Sequence, residues 1–496
     1  MGSTIDELRL LIRSRHPVIT IETDEERRAI ERVRAAAGAL SMNAPVWNLV
    51  DGLRVSGPNS KHAIPETQKA AGVLAHILAE GRSAVYILAD LCVHLKDPTL
   101  QRLLRSIAQQ GRSRNQTLVL IDSTTELPQA LRRLAVPFDI PLPDEKALKH
   151  IVRSTYKELS CVSKIRTDLT KDQFRHIIRT LRGLTADEAV LAVSRVMMDD
   201  DCLNAEDIER LLEVKRDMIR EGGLLEYIDP RIGLEDLAGL SQVKEWLAKR
   251  RGALTEKARK FGLEPPRGLL LLGVQGCGKS AICKATAAAW QMPLLRLDPG
   301  RFYDKYVGES ERNLRRAIKL AESMAPVVLW IDEIEKAFAS AAADSADGGL
   351  SKRMFGTLLS WLQEHRSPIF CVATANDISA LPPELMRKGR FDEVFFVDLP
   401  EVEVRAKIAG IHLKARKRDP ANFDLDAIAA ASAGFSGAEI EQAVVAGLYA
   451  AFAEGQELTT SNILDELAGT RPLSVTMAER IAELRAWADT RCVSAN

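Results

Sequence analysis

The chain holds 496 residues, 46% hydrophobic and 27% charged, the balance of an ordinary soluble globular protein with apolar material for large cores. Its 68 basic residues cancel its 68 acidic ones, so no overall charge argues for nucleic acid or an anionic membrane as partner. Seven scattered cysteines without CxxC spacing exclude a disulfide framework or a zinc site and suit a reducing compartment. No apolar run approaches the ~20 residues of a membrane span. The opening MGSTIDELRLLIRSRHP has no long apolar stretch, so no secretory signal is expected and a cytoplasmic placement is.

In chain order, short apolar runs of strand type fall at PVITIE (17–22), PVWNLV (45–50), SAVYILAD (83–90), QTLVLID (116–122) and PFDIPLP (137–143). A second series follows at GLLLLG (268–273), PLLRLD (293–298), VVLWIDEI (327–334), IFCVATAN (369–376) and EVFFVDLP (393–400). Helix-like segments lie between most of them, which predicts parallel sheets buried on both faces by helices. Two helical echoes complete the parallel: GLTADEAVLAV (183–193) with GFSGAEIEQAV (434–444), and NAEDIERLL (204–212) with TTSNILDEL (459–467). The expected organisation is an α/β domain over 1–160 with a helical lid over 161–228, then a second α/β domain over 229–400, its lid over 401–475 and a tail over 476–496. The small-residue stretch SAAADSADGG (340–349) is expected to be a mobile loop within the second domain.

Chemistry is concentrated in the second half. Gly273, Val274, Gln275, Gly276, Cys277, Gly278, Lys279 and Ser280 match G-x-x-x-x-G-K-[ST] between the strand GLLLLG and the helix-forming AICKATAAAW, which is the context a phosphate loop needs. Its amides and the helix N-terminus would cradle phosphates of ATP, Lys279 would reach the outer ones, and Ser280 would hold Mg²⁺. Asp332 and Glu333 end the strand VVLWIDEI, where ligands gather in open α/β sheets. Asp332 would hold Mg²⁺, directly or through water, and Glu333 would polarise the attacking water. Asn376, ending IFCVATAN, could orient that water. Arg387 and Arg390 in ELMRKGRFD are candidates to reach a neighbour's ATP, because a guanidinium fork matches phosphate and keeps its charge. Cys277, at a helix N-terminus, is either inert packing or an acidified thiol open to oxidation.

These segments, with LEDLAGL (234–240) and KYVGESERNLRRA (305–317), resemble the classical clade of AAA ATPases over about residues 230–470. The stretch from DGGLSKRMFGTLLSWLQE through RKGRFDE is more similar still to the AAA protein of hypothetical chloroplast reading frame forty-six, found in plastids, cyanobacteria and other bacteria. The resemblance implies a P-loop NTPase module, a five-stranded parallel sheet with a helical lid, that forms a hexamer with itself. It also implies that Tyr306 and Val307 belong to a pore loop gripping a protein client, and a stromal placement in plastid relatives. Ala238 stands where that family carries Gly, beside the adenine.

In the first half, Thr23-Asp24-Glu25-Glu26 follows the strand PVITIE, with no glycine or lysine at the phosphate position and carboxylates that would repel a triphosphate. This half therefore reads as a degenerate AAA-like copy serving assembly, partner binding or regulation, or as an unrelated α/β adaptor. For the whole chain, an ATP-driven ring that remodels a protein substrate competes with a nucleotide-switched scaffold that does not thread. A nucleic-acid clamp is disfavoured by the balanced charge and the lack of an appended helix-turn-helix.

Overall fold

The strands of this chain are apolar at consecutive positions because each sheet is covered on both faces. In the second half Leu270, Leu272, Leu329 and Cys371 enter one core, whereas Leu269, Leu271, Val328 and Phe370 enter the core on the opposite face. In the first half Tyr86, Leu88, Leu118 and Leu120 face one way, and Val85, Ile87, Val119 and Ile121 the other. The period of two that sends neighbouring side chains to opposite faces accounts for both.

The computed structural model describes all residues except 1–3, 56–63, 126, 222, 224, 301–308, 340–347, 379–380 and 388. The chain divides into two compact units, Met1–Leu211 and Leu212–Asn496. The first carries strands β1 (Val18–Glu22), β2 (Val46–Asn48), β3 (Gly52–Arg54), β4 (Ala84–Ala89), β5 (Gln116–Asp122) and β6 (Ala135–Pro137) in the order β3-β2-β4-β5-β1-β6. A two-residue ladder, β7 (Arg166–Thr167) with β8 (Cys202–Leu203), sits among its later helices. The second carries β9 (Glu226–Ile228), β10 (Gly268–Gly273), β11 (Leu294–Leu297), β12 (Val327–Ile331), β13 (Ile369–Ala375), β14 (Glu393–Val397) and β15 (Val493–Ser494) in the order β15-β14-β10-β13-β12-β11-β9.

Stripped of edge additions, the two sheets share one order: β6-β1-β5-β4-β2 matches β14-β10-β13-β12-β11, all parallel. Each unit then folds a helical subdomain. Its third helix starts with the same reciprocal cap, Thr185 with Glu188 in the first unit and Ser436 with Glu439 in the second. The paired echoes in the sequence thus mark equivalent positions of one plan used twice.

Among the described residues, five strands lie outside the sequence expectation, β7 and β8 of the short ladder among them. β3 adds an antiparallel ribbon to β2. β9 and β15 extend the expected five-stranded sheet of the second unit to seven, β9 antiparallel to β11 and β15 parallel to β14. One expected strand is displaced: β6 ends at Pro137, and 138–143 is not strand. Proline has no N–H to continue the ladder, and Pro141 and Pro143 follow closely; only the Phe138 amide, donating to Thr20 O at 2.8 Å, extends the pairing. Among the described residues no helix is long and apolar enough to cross a membrane.

Candidate nucleotide site

β10 is buried along its whole length and aims the following loop at the C-terminal edge of the sheet. The loop closes onto helix Lys279–Trp290, whose Ala-rich sequence favours a helix and packs closely on the sheet through Ile282, Cys283 and Ala287. Two glycines are required by space. A Cβ on Gly273 would lie 2.0 Å from Val397 O, and one on Gly276 (φ +78) would meet Ser436 Oγ at 2.9 Å. Gly276 is also where the helical subdomain touches the loop, because the Ala438 amide donates to Gly276 O at 3.0 Å.

Lys279 is only 6% exposed. Its ammonium donates to Gly273 O and Val274 O, both at 2.7 Å, so the loop's own carbonyls hold the charge. Burial lowers its pKa to about 8, against the pull of Cys277 and of the carboxylates Glu335, Glu333 and Asp332. The Cys277 thiol is pushed up to about 12, chiefly by burial, with Lys279 pulling the other way. That direction runs against the acidified-thiol alternative: burial outweighs the helix N-terminus and favours the protonated thiol.

The end of β12 and the end of β13 meet through one hydroxyl. Thr374 Oγ1 donates to Asp332 Oδ1 at 2.9 Å and accepts from the Glu333 amide at 3.1 Å. That bond helps to hold Glu333 at φ 48, a left-handed conformation costly for a residue with a Cβ. The Glu333 carboxylate accepts from Asn376 Nδ2 at 3.1 Å through Oε1 and pairs with the Lys336 ammonium through Oε2. Glu335 lies beneath, its pKa raised mainly by burial, and accepts from the Asn376 amide at 2.9 Å. Asp332 Oδ2 is occupied by Arg296 of β11, with Nη2 at 2.6 Å and Nε at 3.1 Å. Arg296 also stacks over Trp330 and reaches Glu226 of β9 at 3.4 Å.

Gln275, Gly276, Gly278, Lys279, Ser280, Asp332, Glu333, Thr374 and Asn376 line one cavity of about 390 Å³. Beside it a more apolar cavity of about 680 Å³ opens between Ala238, Leu240, the same loop glycines, Cys277 and the helical subdomain. The Ala238 methyl lines this space and leaves it open. The hydroxyls of Ser280 and Thr374 and the Asp332 carboxylate are hard oxygen donors facing the smaller cavity, a set that fits Mg²⁺ alongside phosphate oxygens.

Arg387 is exposed, and Arg390 is half-buried with Nη1 lacking a hydrogen-bond partner. Neither lines the two cavities above. Their segment is tied to the start of β10 by Asp392, which accepts from the amides of Arg267 and Gly268 at 2.8 and 3.1 Å. Tyr306 and Val307 lie outside the described residues, as does most of the stretch 340–349.

The family model of the ATPase family associated with various cellular activities (AAA) matches residues 269–399. Models of the N-terminal and second domains of SpoVK-like AAA ATPases match residues 4–140 and 146–222. An uncharacterized AAA domain-containing protein ycf46 of Guillardia theta is 35% identical over 489 residues, 98% of this chain and 95% of its own length. That of Trieres chinensis is 36% identical over 488 residues, 98% and 96%. The chain belongs to the AAA ATPase family. A proteasome-activating nucleotidase of Aeropyrum pernix is 35% identical over 207 residues, 41% of this AAA ATPase and 50% of its own length.

In the first unit of this AAA ATPase the equivalent loop is closed by an internal anion. Helix Glu26–Gly38 begins at Glu25, which is 5% exposed. Its Oε1 accepts from the Ala186 amide at 2.5 Å, and its Oε2 pairs with Arg28 at 2.6 Å. Ala186 is the counterpart of Gly437 in the paired echoes, so Glu25 bonds the start of the same helix that in the second unit abuts the phosphate loop.

Sequence reasoning passed over Thr374, Arg296 and Glu335. Thr374 and Arg296 did carry a signal, since each is polar inside an otherwise apolar strand. Glu335 carried none beyond its place after Asp332 and Glu333.

Proposed function

We propose that the second unit binds Mg²⁺-ATP and hydrolyses it, and that copies of the chain assemble into a ring, hexameric by family likeness, that remodels a protein client. The observation that carries the catalytic part is the shared cavity. A phosphate loop, an ammonium, an Asp-Glu pair and an Asn converge there, next to a larger, more apolar space suited to a base. Lys279 exchanges loop carbonyls for phosphate oxygens. Ser280 and Asp332 hold Mg²⁺, which supplies charge neutralisation and polarisation of the phosphoryl group. Glu333, oriented by Asn376, accepts a proton from the attacking water. Arg387 and Arg390, outside their own cavities, serve the site of a neighbouring copy. The residues 305–307, with Tyr306 and Val307, grip the client in the central pore. The first unit, without a phosphate loop, contributes assembly or partner binding, and the protein works in a soluble compartment such as the cytoplasm.

The test is hydrolysis by the purified full chain with and without Mg²⁺, coupled to unfolding of a tagged protein. Lys279→Ala and Glu333→Gln should each abolish turnover, and Tyr306→Ala should abolish client-stimulated turnover. Mg²⁺-independent or absent hydrolysis would refute the catalytic reading. Equal loss of basal turnover in Tyr306→Ala would refute gripping.

A further inference from the structure

We infer that residues Val493–Asn496 form part of the nucleotide pocket, with Asn496 acting as a positioning residue on the side of the base. This rests on reading the larger cavity as the place of the base.

The residues run along the sheet edge and finish at the pocket wall. Val493 and Ser494 pair with Phe395 and Phe396 of β14, and the Ala495 amide donates to Phe396 O at 2.9 Å. Ala495 is 1% exposed, packed in the core that holds Leu240, Val243 and Phe395. Its carbonyl accepts from the amides of Gln242 and Val243 at 3.2 and 3.4 Å. Those are among the first amides of helix Ser241–Arg250, which has no side-chain cap of its own. Helix starts leave such donors without partners, so here a carbonyl from a distant part of the sequence does the capping.

Asn496 completes the brace. Its Oδ1 accepts from the Leu240 amide at 2.5 Å. Leu240 is in the left-handed region, φ +59, directly after Gly239 at φ +64. A leucine held there is strained and persists only where its surroundings impose it. Leu240, Ala238 and Asn496 all line the larger cavity, facing the phosphate-loop glycines. Asp398 lines it too, and is gripped by Arg485 of the preceding helix at 2.8 and 2.9 Å. With Oδ1 committed to Leu240, the side-chain group that Asn496 has left is the Nδ2 donor, which matches the ring-nitrogen acceptors at the edge of a purine.

Calorimetric titration of the full chain with ATP, and with inorganic tripolyphosphate, which has no base, tests this. Asn496→Ala should weaken ATP by about fivefold to tenfold, the worth of one or two hydrogen bonds, and leave tripolyphosphate within about twofold. Asn496→Asp, which keeps an acceptor for the Leu240 amide, should recover part of the ATP affinity. Wild-type ATP affinity in Asn496→Ala overturns the inference while leaving the nucleotide reading intact. So does an equal loss of ATP and tripolyphosphate, the mark of a general packing defect. A wild-type chain that binds tripolyphosphate but no ATP overturns both.

Discussion

Replacing Lys279 by methionine should make the nucleotide-free protein more stable while weakening its binding of ATP. Lys279 is 6% exposed, and two loop carbonyls accept from its ammonium in place of water. Burial lowers its pKa from 10.5 to about 8, which corresponds to about 3 kcal/mol against the charged form. Near neutral pH the group lies below both values and is charged whether the chain is folded or not, so the folded state bears the whole penalty. Methionine has a similar length and no charge. Its introduction removes that penalty but leaves the carbonyls of Gly273 and Val274 without their donor, a cost of about 1–2 kcal/mol. The remainder, about 1–2 kcal/mol, should raise the melting temperature of the second unit by about 2–6 °C. The gain should shrink as pH rises from about 8 towards 10.5, because wild-type Lys279 then sheds its proton on folding. ATP affinity should meanwhile fall by about a hundredfold, since the charged contact to phosphate is gone. Differential scanning calorimetry without nucleotide, at several pH values, and calorimetric ATP titration are the paired assays. A nucleotide-free Lys279→Met protein that melts below wild type would refute the reasoning.

Other outcomes follow from the same geometry. Glu333→Gln should keep ATP binding and lower turnover by at least about a hundredfold, read as phosphate release alongside bound nucleotide. Arg296→Met frees Asp332 Oδ2 from its cationic partner, so the Mg²⁺ concentration for half-maximal hydrolysis should fall severalfold; an unchanged Mg²⁺ titration would show that Arg296 does not compete with the ion. Glu25→Ala removes the carboxylate that joins the first-unit loop to helix Ala186–Asp200. It should destabilise that unit by about 1–3 kcal/mol and speed hydrogen exchange at the helix start, with ATP affinity unaltered.

The strand pattern was legible because strands buried on both faces leave unbroken apolar runs, and a P-loop is legible because few sequences put Gly, Gly, Lys and Ser in that context. The two failures differ in cause. The segment 137–143 reads as strand by hydrophobicity, but Pro137, Pro141 and Pro143 remove ladder donors. Cys277 reads as acidified from its place at a helix N-terminus, but the burial that reverses the shift is a property of what packs around it.

The order of elements, the duplication of plan and the identity of the phosphate-loop residues were set by the sequence alone, because each depends on residues adjacent in the chain. Tertiary structure decided the partnerships. Thr374 links Asp332 to Glu333, Arg296 occupies Asp332, Glu25 joins the start of a helix 161 residues away, and Asn496 braces Leu240 across 256 residues. Such contacts form only when the sheet brings distant strand ends to one edge, and no local pattern of residues encodes which donor will meet which acceptor there.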